Sequence, residues 1–140
     1  PRLRTLVLMW PVTDAGDDWD SYVKYGRQRF LTAPLMKWMF GKYVSDPAQR
    51  GNDLMSPVRA SAERLRGLPA TLIVVAENDI LRDEGEAMGR RLDEAGVEVT
   101  TVRFNGVVHD WGMLNGFAAL HPTRTLIRLV GSVLRDYLEK

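Results

Sequence analysis

The sequence predicts an α/β fold in which about three parallel strands form one sheet flanked by helices. Leu72 to Ala76 is a continuous apolar run, rich in β-branched residues, which is typical of a strand buried on both faces. The segments around it follow the order strand, helical excursion, strand, helix, strand, helix, from which parallel sheets with right-handed crossovers are built. Of the 140 residues, 45% are apolar, so the chain is long and apolar enough to bury one core.

The first half of the chain predicts one strand and a long helical excursion. Leu3 to Trp10 is an apolar run that ends at Pro11, so we interpret it as a buried strand closed by a turn. The excursion covers roughly residues 14–60, and its clearest helix begins after Thr32, which predicts an N-cap. One apolar face of this helix carries Leu35, Met36, Met39, Phe40 and Tyr43.

The second half predicts a strand and two helices beyond the central run. Asp83-Glu-Gly-Glu has capping-box spacing, which predicts a helix that continues to Ala95 and stops at Gly96. Val97 to Phe104 alternates between apolar and polar residues, as a half-buried strand does. A last amphipathic helix is predicted over residues 123–138. The whole chain, residues 1–140, is therefore interpreted as a single domain unit.

Composition argues against several classes of function. The 19 basic and 18 acidic residues form no basic stripe, so no nucleic-acid partner is predicted. The chain has no cysteine and only two histidines, so neither a metal site nor a cofactor is predicted. No run approaches the roughly 20 apolar residues of a membrane span, and a cytoplasmic location is expected.

Two residues of catalytic type follow neighbouring predicted strands. Asp79 lies three residues past Ala76, and His109 lies five residues past Phe104. The carboxyl ends of parallel strands open on the same edge of a sheet, so we expect the two side chains to meet there. A carboxylate in that position can accept the imidazole Nδ1–H and leave Nε2 to act as a base. The sequence therefore predicts an acid–base pair.

Each of these residues also has a structural interpretation. An Asn-Asp pair after a strand often forms only a turn, which would account for Asp79 alone. His109, taken alone in a glycine-containing loop, would more commonly be a structural histidine. Glu77 competes with Asp79 as the acid, whereas Asp83 is better explained as a helix cap. His121 is interpreted as a surface loop residue.

Longer strings resemble the hormone-sensitive-lipase-like branch of the α/β-hydrolases, which includes acetyl esterases. Asn78-Asp-Ile-Leu-Arg-Asp-Glu-Gly85 resembles its D-P-L-R-D-E-G signature, and Gly106-Val-Val-His109 resembles its G-M-x-H. Three further strings occur in the family's order: Leu6–Asp14 resembles L-x-Y-P, Ser56–Ala60 resembles S-P-L-x-A, and Arg91–Gly96 resembles R-L-R-E-A-G. The order of acid before base is also that of the family. The resemblance spans nearly the whole chain and indicates the C-terminal half of such a protein.

The resemblance implies a serine carboxylic-ester hydrolase, an esterase or lipase that forms an acyl-enzyme with a small-molecule ester. Asp79 would orient His109, the general base. The family's G-D-S-A-G nucleophile elbow and H-G-G-G oxyanion loop are not found in these residues, and no serine has a G-x-S-x-G context. We therefore expect the 140-residue chain to be inactive by itself. The excursion would help to line the acyl pocket, and the substrate-binding candidates are Phe30, Met36, Met39, Phe40 and Trp111.

The chain departs from the family pattern beside both proposed catalytic residues. Ile80 stands where the family has proline, and Asp110-Trp111 stands where it has Gly-Phe, which adds a carboxylate next to His109. The alternatives are a small-molecule binding protein or receptor that has lost catalysis, and a stand-alone α/β binding module. The retained His109 favours an enzyme over the former. The apolar run from Leu3 to Trp10 would be a sheet edge and predicts a homodimer through this strand.

Overall fold

Three parallel strands form one sheet in the computed structural model, which describes residues 3–44 and 46–139. The strands are β1 (Thr5–Met9), β2 (Ala70–Asn78) and β3 (Val99–Val108), and their order in the sheet is β1-β2-β3. Both neighbouring pairs are parallel. The predicted α/β class is confirmed.

Helices occupy the connections and the C-terminal part of the described chain. They are α1 (Asp20–Tyr25), α2 (Ala33–Tyr43), α3 (Ala62–Leu65), α4 (Arg82–Glu94) and α5 (His121–Leu138). Short 3₁₀ turns lie at Pro47–Gly51, Pro57–Arg59 and Asn115–Phe117. The excursion between β1 and β2 thus contains α1, α2 and α3.

The central strand β2 is buried on both of its faces. Ile73 and Val75 pack in an apolar cluster with residues of α3 and α4. Leu72, Val74 and Ala76 pack in a second cluster on the other face, which includes residues of α5. Because alternate side chains of a strand point to opposite faces, an uninterrupted apolar run was needed to fill both clusters.

β2 and β3 extend further at their carboxyl ends than the sequence predicted, whereas β1 is shorter than the predicted run from Leu3 to Trp10. β2 continues through Asn78 and β3 continues through Val108, and these two residues pair after an irregularity in the register. Gly106 has φ +75°, a conformation that glycine adopts without steric cost, and it allows the strand to continue through an Asn-Gly turn signal. Backbone hydrogen bonds between β2 and β3 stabilise these polar strand ends. The alternation of apolar and polar side chains could not predict that pairing. Asp79 and His109 therefore follow their strands directly.

The prediction of a capping box at Asp83 is wrong. α4 begins at Arg82, and its N-cap residue Leu81 makes no side-chain cap. Asp83 lies in the first turn and accepts a hydrogen bond from the Ser21 N–H at 2.8 Å, because α1 packs against this end of α4. The predicted stop of this helix at Gly96, with φ +77°, is confirmed.

Two details of the other helices also bear on the predictions. The Thr32 hydroxyl accepts a hydrogen bond from the Leu35 N–H, which confirms the predicted N-cap of α2. His121 is exposed, but it is the first residue of α5 rather than part of a loop. The proline that follows it occupies the first turn, where a proline costs no helical hydrogen bond.

Gly89 allows α4 to approach the sheet closely. A Cβ atom at this position would meet the hydroxyl of Thr101 on β3, whereas a Cβ at Gly131 in α5 would meet only the Arg135 Nη1 at 3.5 Å. We expect Gly89→Ala to lower the free energy of unfolding by about 1–3 kcal/mol through overpacking. Gly131→Ala should raise it by about 0.5–1 kcal/mol, because alanine is the better helix former. Urea unfolding of both variants checks this, and changes of equal sign would contradict the packing argument.

Candidate active site

Asp79 and His109 are in hydrogen-bond contact at one edge of the sheet. The His109 Nδ1 lies 2.8 Å from the Asp79 Oδ2. The Asp79 side chain is 1% exposed and that of His109 is 14% exposed. The pairing of Asn78 with Val108 explains the contact, because each of the two residues comes next after a paired position. The expected juxtaposition of acid and imidazole is therefore present.

The backbone at the start of α4 holds Asp79 in place. Its Oδ1 accepts a hydrogen bond from the Leu81 N–H at 3.0 Å, and its carbonyl accepts one from the Arg82 N–H at 3.3 Å. Ile80 and Leu81 are fully buried beneath it. The carboxylate therefore uses one oxygen for the turn that leads into α4 and the other for the imidazole.

A polar network joins this turn to α1. The Arg82 guanidinium donates to the Tyr25 hydroxyl at 3.0 Å and to the Glu77 carbonyl at 3.2 Å, and it pairs with Asp83 at 2.7 Å. The Ser21 hydroxyl donates to the carbonyl of Ile80. Burial opposes ionisation of Asp83, but the Arg82 pair and the Ser21 N–H outweigh it and lower the pKa of Asp83. These contacts hold the acid-bearing turn between α1 and α4.

Glu77, the competing acid in the sequence, has a different position. Its Oε2 accepts a hydrogen bond from the Gly106 N–H at 2.7 Å. This contact joins the end of β2 to the irregular part of β3 just before His109. The Glu77 carboxylate therefore braces the strand that carries the imidazole.

Aromatic rings support His109 from the interior. The Trp10 ring lies 6.4 Å from the imidazole in a T-shaped arrangement and 4.7 Å from the ring of Trp111. Trp10 is buried and follows β1, so it belongs to the same sheet edge as the acid–base pair. Sequence reasoning did not single out Trp10, although its place at the end of a predicted strand was a usable signal. Trp111 is 1% exposed and packs against Trp10, so it offers no surface for direct contact with a substrate.

Asp110 lies on the other side of the imidazole. Its Oδ1 is 3.5 Å from the His109 Nε2, and its side chain is 34% exposed. The residue has φ +59°. The buried carboxylate of Asp79 thus lies beside Nδ1 of the imidazole, and the partly exposed carboxylate of Asp110 lies beside Nε2.

A buried glutamate links the segment after β1 to α4. Glu84 is 0% exposed, and its Oε1 accepts hydrogen bonds from the backbone N–H groups of Thr13 and Asp14 at 2.6 and 3.0 Å. The Thr13 hydroxyl donates to the Glu84 carbonyl at 2.9 Å. Burial, reinforced by the charges of Asp14 and Asp79, raises the pKa of Glu84 to about 8 despite the two backbone donors. Sequence reasoning interpreted Glu84 only as part of the motif.

Asp14 itself stays acidic in this buried setting. The Arg59 guanidinium donates to both of its carboxylate oxygens at 2.9 and 3.0 Å. Burial raises the pKa of Asp14, but the bonds from Arg59 and from the Gly16 N–H outweigh it, so that the net effect is a lowered pKa. A charged Asp14 therefore lies beside Glu84.

The apolar candidates for substrate binding separate into three groups. Met36, Met39 and Phe40 of α2 line one open, apolar groove of about 570 Å³. Phe30 is 54% exposed and is not among the residues that line this groove. Trp111 lies in the core. The remaining residues along the groove are Val12, Trp38, Lys42, Tyr43, Leu54, Met55 and Pro57.

Neither a metal-binding cluster nor a membrane-spanning helix is present in the described ranges. Residues 3–44 and 46–139 hold no group of three His, Cys, Asp or Glu side chains arranged to bind a metal ion. Within the same ranges, none of the helices combines the length and the apolar character needed to span a bilayer.

Comparison with known proteins decides the family. The sequence model of the alpha/beta hydrolase fold family matches residues 1–113. The chain belongs to the α/β-hydrolase fold family. The predicted resemblance to the hormone-sensitive-lipase-like branch is confirmed.

Several relatives of this α/β-hydrolase chain are esterases by name. An ethyl acetate hydrolase from Pseudomonas putida is 38% identical over 79% of the chain, and an arylesterase from Saccharolobus solfataricus is 37% identical over 83%. A crystal structure of a thermostable esterase from Pseudomonas putida superposes with a TM-score of 0.96 at 45% identity over 99% of the chain. The chain spans 34%, 36% and 43% of these three proteins, respectively.

Proposed function

We propose that the protein to which this chain belongs is a carboxylic-ester hydrolase with a serine acyl-enzyme mechanism. In this proposal Asp79 is the acid and His109 is the base of the triad. The observation that carries it is the 2.8 Å contact between the His109 Nδ1 and a carboxylate that is itself buried and held by the backbone. The esterase names of the relatives support the same reaction class.

The chemistry follows from the orientation of the imidazole. Asp79 accepts the Nδ1–H, selects the tautomer with a free Nε2, and stabilises the imidazolium that forms. Nε2 takes the proton of the nucleophilic serine as the serine oxygen bonds to the ester carbonyl, and then gives it to the departing alcohol. A water molecule repeats the sequence to release the acid. In this proposal the serine and the oxyanion donors come from a part of the parent protein outside these 140 residues.

We propose that the groove along α2 binds the acyl part of the ester. Met36, Met39 and Phe40 offer an apolar wall that includes two methionines, whose flexible side chains adapt to different shapes. Phe30 stays a candidate at the exposed start of this region. Trp111 would act indirectly, as the ring beneath Trp10 and His109.

The test compares the full-length parent with residues 1–140 alone. We expect the parent to hydrolyse p-nitrophenyl acetate and butyrate with an initial burst of p-nitrophenol, the sign of an accumulating acyl-enzyme. The chain alone should be at background, because it lacks the nucleophile and the oxyanion donors together. A folded parent that binds esters without turnover would favour the binding-protein alternative, and turnover by the chain alone would contradict an external serine.

Two further expectations stay predictions. One is pairing of two copies through β1, which forms one edge of the three-stranded sheet. The other is a cytoplasmic location for the parent protein.

A further inference from the structure

Asp110 adds a negative charge beside the imidazole nitrogen that Asp79 leaves free. Its Oδ1 lies 3.5 Å from the His109 Nε2, whereas Asp79 contacts Nδ1. The two carboxylates differ in their surroundings, since the Asp79 side chain is 1% exposed and that of Asp110 is 34% exposed. Asp110 can therefore contact both the imidazole and a molecule that approaches it from solvent.

The backbone holds Asp110 in this place but does not require its charge. The residue has φ +59°, in the left-handed region that glycine, asparagine and aspartate adopt more readily than other residues. A hydrogen bond from the Met113 N–H to the Asp110 carbonyl at 2.9 Å closes the turn. Glycine, which the related sequence pattern has here, would satisfy the same backbone. The carboxylate is therefore not required by the backbone conformation.

No cation of the described part of the chain neutralises this carboxylate. Across residues 3–44 and 46–139, its ion-pair partner is the imidazole of His109, and no Lys or Arg side chain lies within pairing distance. The same imidazole contacts the buried Asp79 and lies near the indole of Trp10. The corner beside Nε2 is therefore electronegative.

We propose that Asp110 is a specificity-determining residue that selects esters with a cationic ammonium group in the alcohol portion. This assignment rests on the proposed function, in which Nε2 delivers a proton to the oxygen of the departing alcohol. Groups around Nε2 consequently face the alcohol portion of the ester rather than the acyl portion. A carboxylate there attracts a nearby cation and repels an anion.

The experiment measures kcat/KM of the full-length parent for acetylcholine and for 3,3-dimethylbutyl acetate, in which a carbon atom replaces the charged nitrogen. We expect a ratio of roughly tenfold in favour of acetylcholine, as for opposite charges a few ångströms apart near a protein surface. The ratio should decrease as salt increases. Asp110→Asn should bring it close to one, since asparagine keeps the shape and tolerates the positive φ.

A matched control removes the same charge elsewhere. Asp93 is exposed near the C-terminal end of α4. It lies 11 residues after Arg82, where this helix starts, which corresponds to about 16 Å along the helix axis. Asp93→Asn should leave the ratio unchanged. A kcat/KM ratio near one in the wild-type protein would overturn the assignment of Asp110, and so would a ratio that persists in Asp110→Asn. In either case, hydrolysis of one of the esters would still uphold the proposed function. A parent that hydrolyses neither ester, nor p-nitrophenyl acetate, would overturn both.

Discussion

Replacing His109 with glutamine in the full-length parent is expected to lower kcat for p-nitrophenyl acetate by on the order of 10⁶-fold. The substitution removes the group that takes the serine proton and returns it to the alcohol. Asp79→Asn should lower kcat by on the order of 10⁴-fold, because an amide that donates to Nδ1 places the imidazole proton on Nε2, where the base is needed. Stopped-flow and steady-state hydrolysis of the ester measure both losses.

Glu77→Gln is the matched control for Asp79→Asn. Glu77 lies two residues away and was the competing acid in the sequence, but its carboxylate accepts the Gly106 N–H. A glutamine can keep that hydrogen bond through its carbonyl oxygen, although the bond becomes a weaker, neutral one. Weakening one such bond corresponds to less than about a tenfold change in kcat. Urea unfolding of each variant confirms that the folded state is retained. Equal losses in Glu77→Gln and Asp79→Asn would contradict the assignment of the acid.

The second large effect is a loss of stability as pH rises. Burial raises the pKa of Glu84 from 4.5 to about 8 in the folded protein. Between these values the folded state holds a proton that the unfolded state has released, so the free energy of unfolding falls as pH increases. The contribution of Glu84 is complete below about pH 4.5 and is lost through pH 8. The expected decrease between pH 5 and pH 8 is on the order of 4 kcal/mol.

Glu84→Gln isolates this contribution. The amide oxygen can still accept the backbone N–H groups of Thr13 and Asp14, but the side chain no longer titrates. The difference in free energy of unfolding between variant and wild type should therefore shift in favour of the variant as pH rises from 5 to 8. Any other group that titrates in this range contributes to both proteins and cancels from the difference. A difference that stays constant across the range would contradict a buried, protonated Glu84.

Acidic residues with lowered pKa values affect the free energy of unfolding in a different pH range. The pKa values of Asp14 and Asp83 are lowered by their arginine and backbone donors. Their contributions are present above the unfolded pKa and are lost as pH falls through the folded one. They therefore act at the acid end of the curve, below the range in which Glu84 titrates.

Local patterns were sufficient for the three strands, for α2, α4 and α5, and for the two residues that follow β2 and β3, but they predicted neither α1 nor α3. The run from Leu72 to Ala76 predicted the central strand, and the alternation from Val97 to Phe104 predicted its neighbour. Strand parallelism then placed Asp79 and His109 at one edge, because parallel strands end on the same side of a sheet. The capping box at Asp83 was wrong, since tertiary packing of α1 gave its carboxylate a different donor.

The sequence by itself determined the class of fold and the family, and it predicted that Asp79 and His109 meet at one sheet edge, because periodicity and motif spacing are local properties of the chain. Only the tertiary structure decided how that pair is surrounded. Trp10 beneath the imidazole, the brace from Glu77 to Gly106, and the buried Glu84 depend on contacts between residues that are distant along the chain. Hydrogen bonds and desolvation of this kind arise only when strands and helices meet, and no pattern along the sequence encodes their partners.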